Sequence, residues 1–245
     1  MLEPYTLAII ALIFFAGGLV KGMVGFGLPT IGIGLGALVL DIPTAMMLIA
    51  IPTVLTNAWQ VWINGDPREL PRHFWVFLVA ALLPIPLGIA TLVYLPQFPY
   101  ERLLGSVILI YSLWSLLITD RTLPWLAHWR AAVLAGSANA VLTGMTGCFS
   151  VPGVMYLRGL GLNKSELLRA MGMLYLVSAL GMWASLAGLG QGTVQLGMAS
   201  LVACLPVGLG VLLGNQLNRR LSEHHFKHMF LWIFGGIGLA LLVMS

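Results

Sequence analysis

Residues 18–27 read GLVKGMVGFG. Four glycines and a lysine interrupt a stretch that is otherwise mostly apolar from Tyr5 to Leu40. Glycine weakens a helix by about 0.5–1 kcal/mol relative to alanine. A lysine at membrane depth costs about 2.5–3.5 kcal/mol on insertion scales. A chain that keeps both together in apolar surroundings has a break there, and the charge needs a reason. The stretch also exceeds the ~20 residues of one upright span, so it reads as a helix, a break and a second helix.

The surroundings are a membrane. The chain has 245 residues, 59% hydrophobic and 8% charged, against about 25% charged in an ordinary soluble domain. The fold class is therefore all-α integral membrane. Spans are predicted at 43–63, 73–95, 100–119, 165–187, 193–215 and 226–244. A second overlong stretch, about 130–161, is interrupted by TGMTGCFSVP at 143–152. The pieces of both broken stretches are short for full crossings, so each pair is expected to dip into the membrane as a hairpin. No lysine or arginine precedes the first apolar run, which argues against a secretory leader and for a non-cytoplasmic N-terminus.

A shift of 122 residues brings the halves into register. Gly22, Met23 and Gly25 fall on Gly144, Met145 and Gly147, Pro84 on Pro206, and Gly88 on Gly210. We expect two repeats, 1–122 with broken segment 5–40 and 123–245 with broken segment 130–161. Charge orients them. Arg68 and Arg72, Arg121 and Arg130, Arg158, Lys164 and Arg169, and Arg219, Arg220 and Lys227 lie in segments whose partners in the other half carry few such charges or none. Placing them inside by the positive-inside rule leaves ten of twelve basic residues cytoplasmic, Arg102 outside and Lys21 at its break. Equivalent loops then lie on opposite sides, which is an inverted structural repeat. Both termini fall outside the cytoplasm.

Irregular backbone survives in hydrocarbon only where protein buries it or water reaches it. Discontinuous helices of secondary carriers bind substrate at such places. The expected substrate-binding set is Lys21, Gly22, Gly25 and Asn57 from the first half, and Asn139, Thr143, Gly144, Thr146, Gly147, Cys148, Ser150 and Tyr175 from the second. Lys21 would supply charge, the glycine amides geometry, and the hydroxyls hydrogen bonds to an oxyanion. The competing reading places Lys21 at a water-exposed hairpin tip and uses the Thr and Ser side chains to satisfy freed backbone groups. No span carries Asp or Glu near its centre, and Cys148 has no histidine or acid nearby in sequence to serve it as a base. An enzyme, a resident metal and a carboxylate proton relay are therefore not expected, and neither is a cofactor. His224, His225 and His228 read as surface residues rather than ligands.

GGLVKGMVGFGLP at 17–29, TGMTGCFSVP at 143–152, LVLDIPTAM at 38–46 and LGLNKSELLRAM at 160–171 together resemble the TauE/SafE family of sulfite and sulfonate exporters. The resemblance covers nearly the whole length. It departs from the usual pattern where a run of glycines would follow GxxG: here stand Phe26-Gly27 and Cys148-Phe149-Ser150. The resemblance implies secondary transport of a small sulfur-containing anion across a bacterial inner membrane, coupled to protons and working by alternating access. The partners implied are that anion and the bilayer, with no nucleic acid. An anion channel and a non-transporting membrane assembly protein are the alternatives.

Overall fold

The computed structural model describes the backbone of residues 4–117, 122–218 and 223–244, and the side chains of 5–117, 122–218 and 231–243. Arg121, Arg219 and Arg220 lie outside the described residues, and the side chains of Lys227, His224, His225 and His228 lie outside the described side chains. The described chain is all-helical: α1 Pro4–Val24, α2 Leu28–Gly36, α3 Ile42–Ile63, α4 Arg72–Ala80, α5 Ile85–Tyr94, α6 Tyr100–Leu117, α7 Trp129–Thr146, α8 Gly153–Gly159, α9 Lys164–Gly188, α10 Val194–Asn218 and α11 Glu223–Met244. Short 3-10 turns at Pro67–Glu69 and Pro124–Ala127 occupy two connections.

Among the described residues six stretches are long and apolar enough to cross a membrane: Tyr5–Val24, Ile42–Ile63, Arg72–Tyr94, Tyr100–Leu117, Lys164–Gly188 and Val194–Asn218. A shorter apolar stretch, Leu231–Val243, lies in α11. Leu12, Leu83, Leu134 and Leu205 point outward, as leucines do when the surrounding solvent is hydrocarbon. The third of these, Arg72–Tyr94, is not one helix. Pro84 and Pro86 lack the N–H that would continue the ladder, and turns at 81–84 separate α4 from α5. Pro206, its counterpart, sits inside an unbroken α10.

Both glycine clusters interrupt helices, and both divide them unequally. α1 has 21 residues and α2 has 9; α7 has 18 and α8 has 7. Gly25 and Gly147 turn the chain at φ 84° and 69°, in the left-handed region that only glycine enters at little cost. Gly25 N–H donates to Lys21 O at 2.8 Å and Gly147 N–H to Thr143 O at 2.7 Å. These positions are 122 apart, and so are the next two caps. Asp41 Oδ1 accepts from Thr44 N–H at 2.8 Å to start α3. Asn163 and Glu166 form a reciprocal capping box that starts α9.

Each long broken arm packs against a helix of the other half, α1 on α10 and α7 on α4 and α5. Glycine permits the approach. A side chain at Gly22 would strike the backbone of Val211 and Gly214, and one at Gly144 the backbone of Ile85 and Gly88. α3 and α9 pack against each other antiparallel. Ser165 Oγ donates to Asn64 O at 2.9 Å, at the end of α3. The turn after α9 returns to the other end, where Gly192 lies near Met47. Arg169, only 2% exposed, fastens this pair by donating from Nη1 to Asp66 O and to Glu69 Oε2 at 2.7 Å. Pro52 inside α3 leaves Leu48 O without its helical donor, and Ser200 Oγ of α10 donates to it at 2.8 Å.

Candidate functional site

Lys21 lies in the last turn of α1, one turn before the first break. It is 4% exposed. Its Nζ donates to Asn57 Oδ1 at 2.6 Å and to Gln60 Oε1 at 3.0 Å. Both acceptors are fixed in turn. Asn57 Nδ2 donates to Thr53 O at 2.8 Å, and Gln60 Nε2 to Leu168 O at 2.7 Å. The amides therefore cannot rotate freely, and their oxygens are held toward the ammonium.

A cavity of about 180 Å3 opens beside this lysine, far more than one water needs. It lies where the ends of α1, α3 and α10 meet the start of α9. Lys21 and Gly25 line it, with Gln60, Asn64, Lys164 and Asn215. The lining holds two lysines and four side-chain amides and, among the described residues, no carboxylate. Such a surface attracts an anion and offers it N–H donors. Among the described residues no three His, Cys, Asp or Glu gather as they would around a metal ion.

The second break forms a separate, fully buried polar cluster. Thr146 Oγ1 donates to Leu142 O at 2.6 Å and accepts from Cys148 N–H at 3.2 Å. Thr143 Oγ1 donates to Cys148 O at 3.2 Å. Asn139 Oδ1 accepts from Gly153 N–H at 2.9 Å. These three side chains thus serve the backbone around the break, which irregular chain in hydrocarbon requires. Ser150 differs: its hydroxyl meets Tyr175 OH at 2.9 Å and Thr30 Oγ1 at 3.2 Å. That chain of hydroxyls joins the second break to the first turn of α2.

The twelve expected residues therefore fall into two groups. Lys21, Gly22, Gly25 and Asn57 surround or border the cavity. Asn139, Thr143, Gly144, Thr146, Gly147, Cys148, Ser150 and Tyr175 lie deeper; Tyr175 is seven residues beyond Leu168 along α9, about 10 Å. Gly22 and Gly144 face neighbouring helices as packing contacts. Thr53 Oγ1 and Ser178 Oγ are also buried, without a hydrogen-bond partner among the described residues.

Gln60, Thr30 and Arg158 were not singled out from sequence. Gln60 is one turn after Asn57 on the same face of α3, a spacing that could have pointed to it. Arg158, read as an orienting charge, is half-buried: Nη1 donates to Ser115 Oγ at 3.3 Å and the guanidinium lies 5.8 Å from the Phe26 ring centre. Its position beside the first break follows only from tertiary packing.

A family model described as Sulfite exporter TauE/SafE matches residues 9–241. No curated protein and no solved structure matches the chain.

Proposed function

The chain belongs to the sulfite exporter TauE/SafE family, and from that premise we propose that it is a secondary carrier moving a small sulfur oxyanion, sulfite or an organosulfonate, across the bacterial inner membrane. The observation that carries this reading is a buried lysine held by two neutral amide oxygens beside a cavity without carboxylates. Asn57 and Gln60 hold the ammonium in the unloaded site. An oxyanion entering the cavity replaces one or both of them and gains a charge-assisted bond, which is stronger than a neutral one. Gly25, having no side chain, lets the anion approach the chain.

The halves act as inverted repeats. The paired positive-φ glycines, the paired caps at Asp41 and Asn163, and the reciprocal packing of each broken arm support this. The broken segments act as hairpins. Leu123 N–H donates to Gly159 O at 2.9 Å, so the second segment starts and finishes at one end of the bundle. The cavity end, with Arg68, Lys164 and Arg169, is cytoplasmic by the positive-inside rule. Alternating access then opens the opposite side. The hydroxyls of Thr30, Ser150 and Tyr175, with Thr143, Thr146, Asn139 and Cys148 behind them, shape the outward half of the path. Thr53 and Ser178 gain partners from the passing ion or its water. A coupled proton travels on the substrate.

Proteoliposomes loaded with labelled sulfite or sulfonates test the substrate class. Saturable counterflow is expected, and Lys21→Met is expected to lower it at least tenfold. Absence of flux with every such anion in both directions would remove the assignment; flux without counterflow would make the protein a channel.

A further inference from the structure

A second site lies on the lipid-facing side, away from the lysine cavity. α4 and α7 run parallel. Gly136 of α7 packs against Phe77 and Ala81 of α4, and Gly144 against Ile85 and Gly88 of α5. Parallel packing brings both helix N-termini, at Arg72 and Trp129, to the same end of the bundle. The interruption before Pro84 leaves an open groove of about 580 Å3 between them. Val76, Val79, Leu83 and Val133 make it apolar, while Arg72 stands at its rim.

An adjoining cavity of about 520 Å3 shares Arg72 and Val76 with this groove and adds His73 and Trp129. Arg72 and His73 give it a basic side, against Val76, Ala127 and Trp129. Arg130 rests over the Trp129 ring, 5.4 Å from its centre. The Nε2 of His73 is buried and has no partner among the described residues. α4 begins at Pro71 without a side-chain cap, so its first N–H groups keep the capacity to meet an anion. Exposed Trp75 and Trp129 flank the rim, where tryptophan marks the interface between lipid and water.

We propose that this groove binds an anionic phospholipid of the cytoplasmic leaflet. The headgroup phosphate sits between Arg72, His73 and Arg130, and one acyl chain runs along Val76, Val79, Leu83 and Val133. A soluble phosphate would use the head cavity and leave the apolar groove empty. A zwitterionic lipid would fill the groove but carries a cationic ammonium on its headgroup that two arginines repel. Only a ligand with both a net negative head and a chain uses both cavities, and basic pockets between helices on the cytoplasmic side suit such lipids. The leaflet assignment rests on the orientation proposed above; the lipid's chemistry does not.

Native mass spectrometry of the delipidated full chain, offered phosphatidylglycerol or phosphatidylcholine, tests this. Wild type is expected to retain phosphatidylglycerol at least fivefold better. The Arg72→Gln, Arg130→Gln double variant is expected to bind both lipids equally. Val133→Trp, which fills the groove and leaves every charge, is expected to lower retention of both. Equal retention of the two lipids by wild type overturns the proposal, as does an undiminished preference in the double variant. Competition by glycerol phosphate as effective as by the whole lipid would assign the site to a free phosphate instead. Both variants are to be compared with wild type in thermal stability, and if the double variant misfolds, Val133→Trp alone decides. Because lipid retention is read without flux, failure here leaves the carrier reading standing, and the reverse holds too.

Discussion

At the scale of single residues, Lys21 explains why glycine and positive charge share one decapeptide. The break sets the end of α1 against α3, and there the ammonium meets Asn57 and Gln60. The charge was legible in sequence because an apolar run exposes it. Its partners were only half legible: Asn57 stood out inside a span, whereas Gln60 sat near a span's end, where polar residues are ordinary. Thr143, which occupies the position equivalent to Lys21 in the second half, instead donates to Cys148 O. Equivalent places therefore do unlike work, one offering a charge and the other holding its own backbone. Asn57→Asp sharpens the point. A carboxylate placed 2.6 Å from Nζ would pair with the ammonium and cancel the attraction for an anion. Sulfite counterflow is expected to fall at least tenfold, while the thermal midpoint in detergent stays level or rises. Undiminished flux would show that Lys21 is not the charge the substrate meets.

Helices and breaks form the next scale, and here glycines divide into two kinds. Gly25 and Gly147 are needed for backbone sign, Gly22, Gly88, Gly144 and Gly210 for close approach. Sequence alone shows clusters and spacing but cannot separate these kinds, because the second depends on a helix from the other half. Gly88→Val drives a side chain into the backbone of Val141 and Gly144. Overpacking of this sort costs about 1–3 kcal/mol, and the unfolding midpoint is expected to drop accordingly. Gly208→Val in α10, where an added side chain would meet nothing within 4 Å, is expected to change stability by less than about 0.5 kcal/mol. A third variant, Ser200→Ala, removes the donor to Leu48 O that Pro52 made necessary, and about 1 kcal/mol of destabilisation is expected. The unequal arms of the broken segments were not legible either. Hydropathy reports only that a stretch is too long, while the cut is made where Gly25 and Gly147 turn.

For the molecule as a whole, composition pointed to a membrane bundle, and the spacing of the glycines led us to expect two related halves. Not legible was that the expected residues fall into two groups, one beside the cavity at Lys21 and one buried deeper in the bundle. Sequence carries depth poorly, since residues near one another in a break can face opposite ways. Arg68→Cys and Gln191→Cys, in a chain without its native thiols, test the orientation of the halves: an impermeant reagent is expected to reach them from opposite sides of sealed vesicles. Labelling from one side would remove the inverted arrangement.

That no carboxylate among the described residues lines the cavity beside Lys21 also has an electrical consequence. Alternating access would present the same site to each side in turn, so any net charge on it crosses the membrane field. A monovalent bisulfite cancels the charge of Lys21, so the loaded site reorients with one positive charge fewer than the empty one. The empty site carries that extra charge, and an interior-negative potential draws it back toward the cytoplasm with about 2.3 kcal/mol per 100 mV. The resting potential alone would then drive export, with the unladen return as the voltage-sensing step.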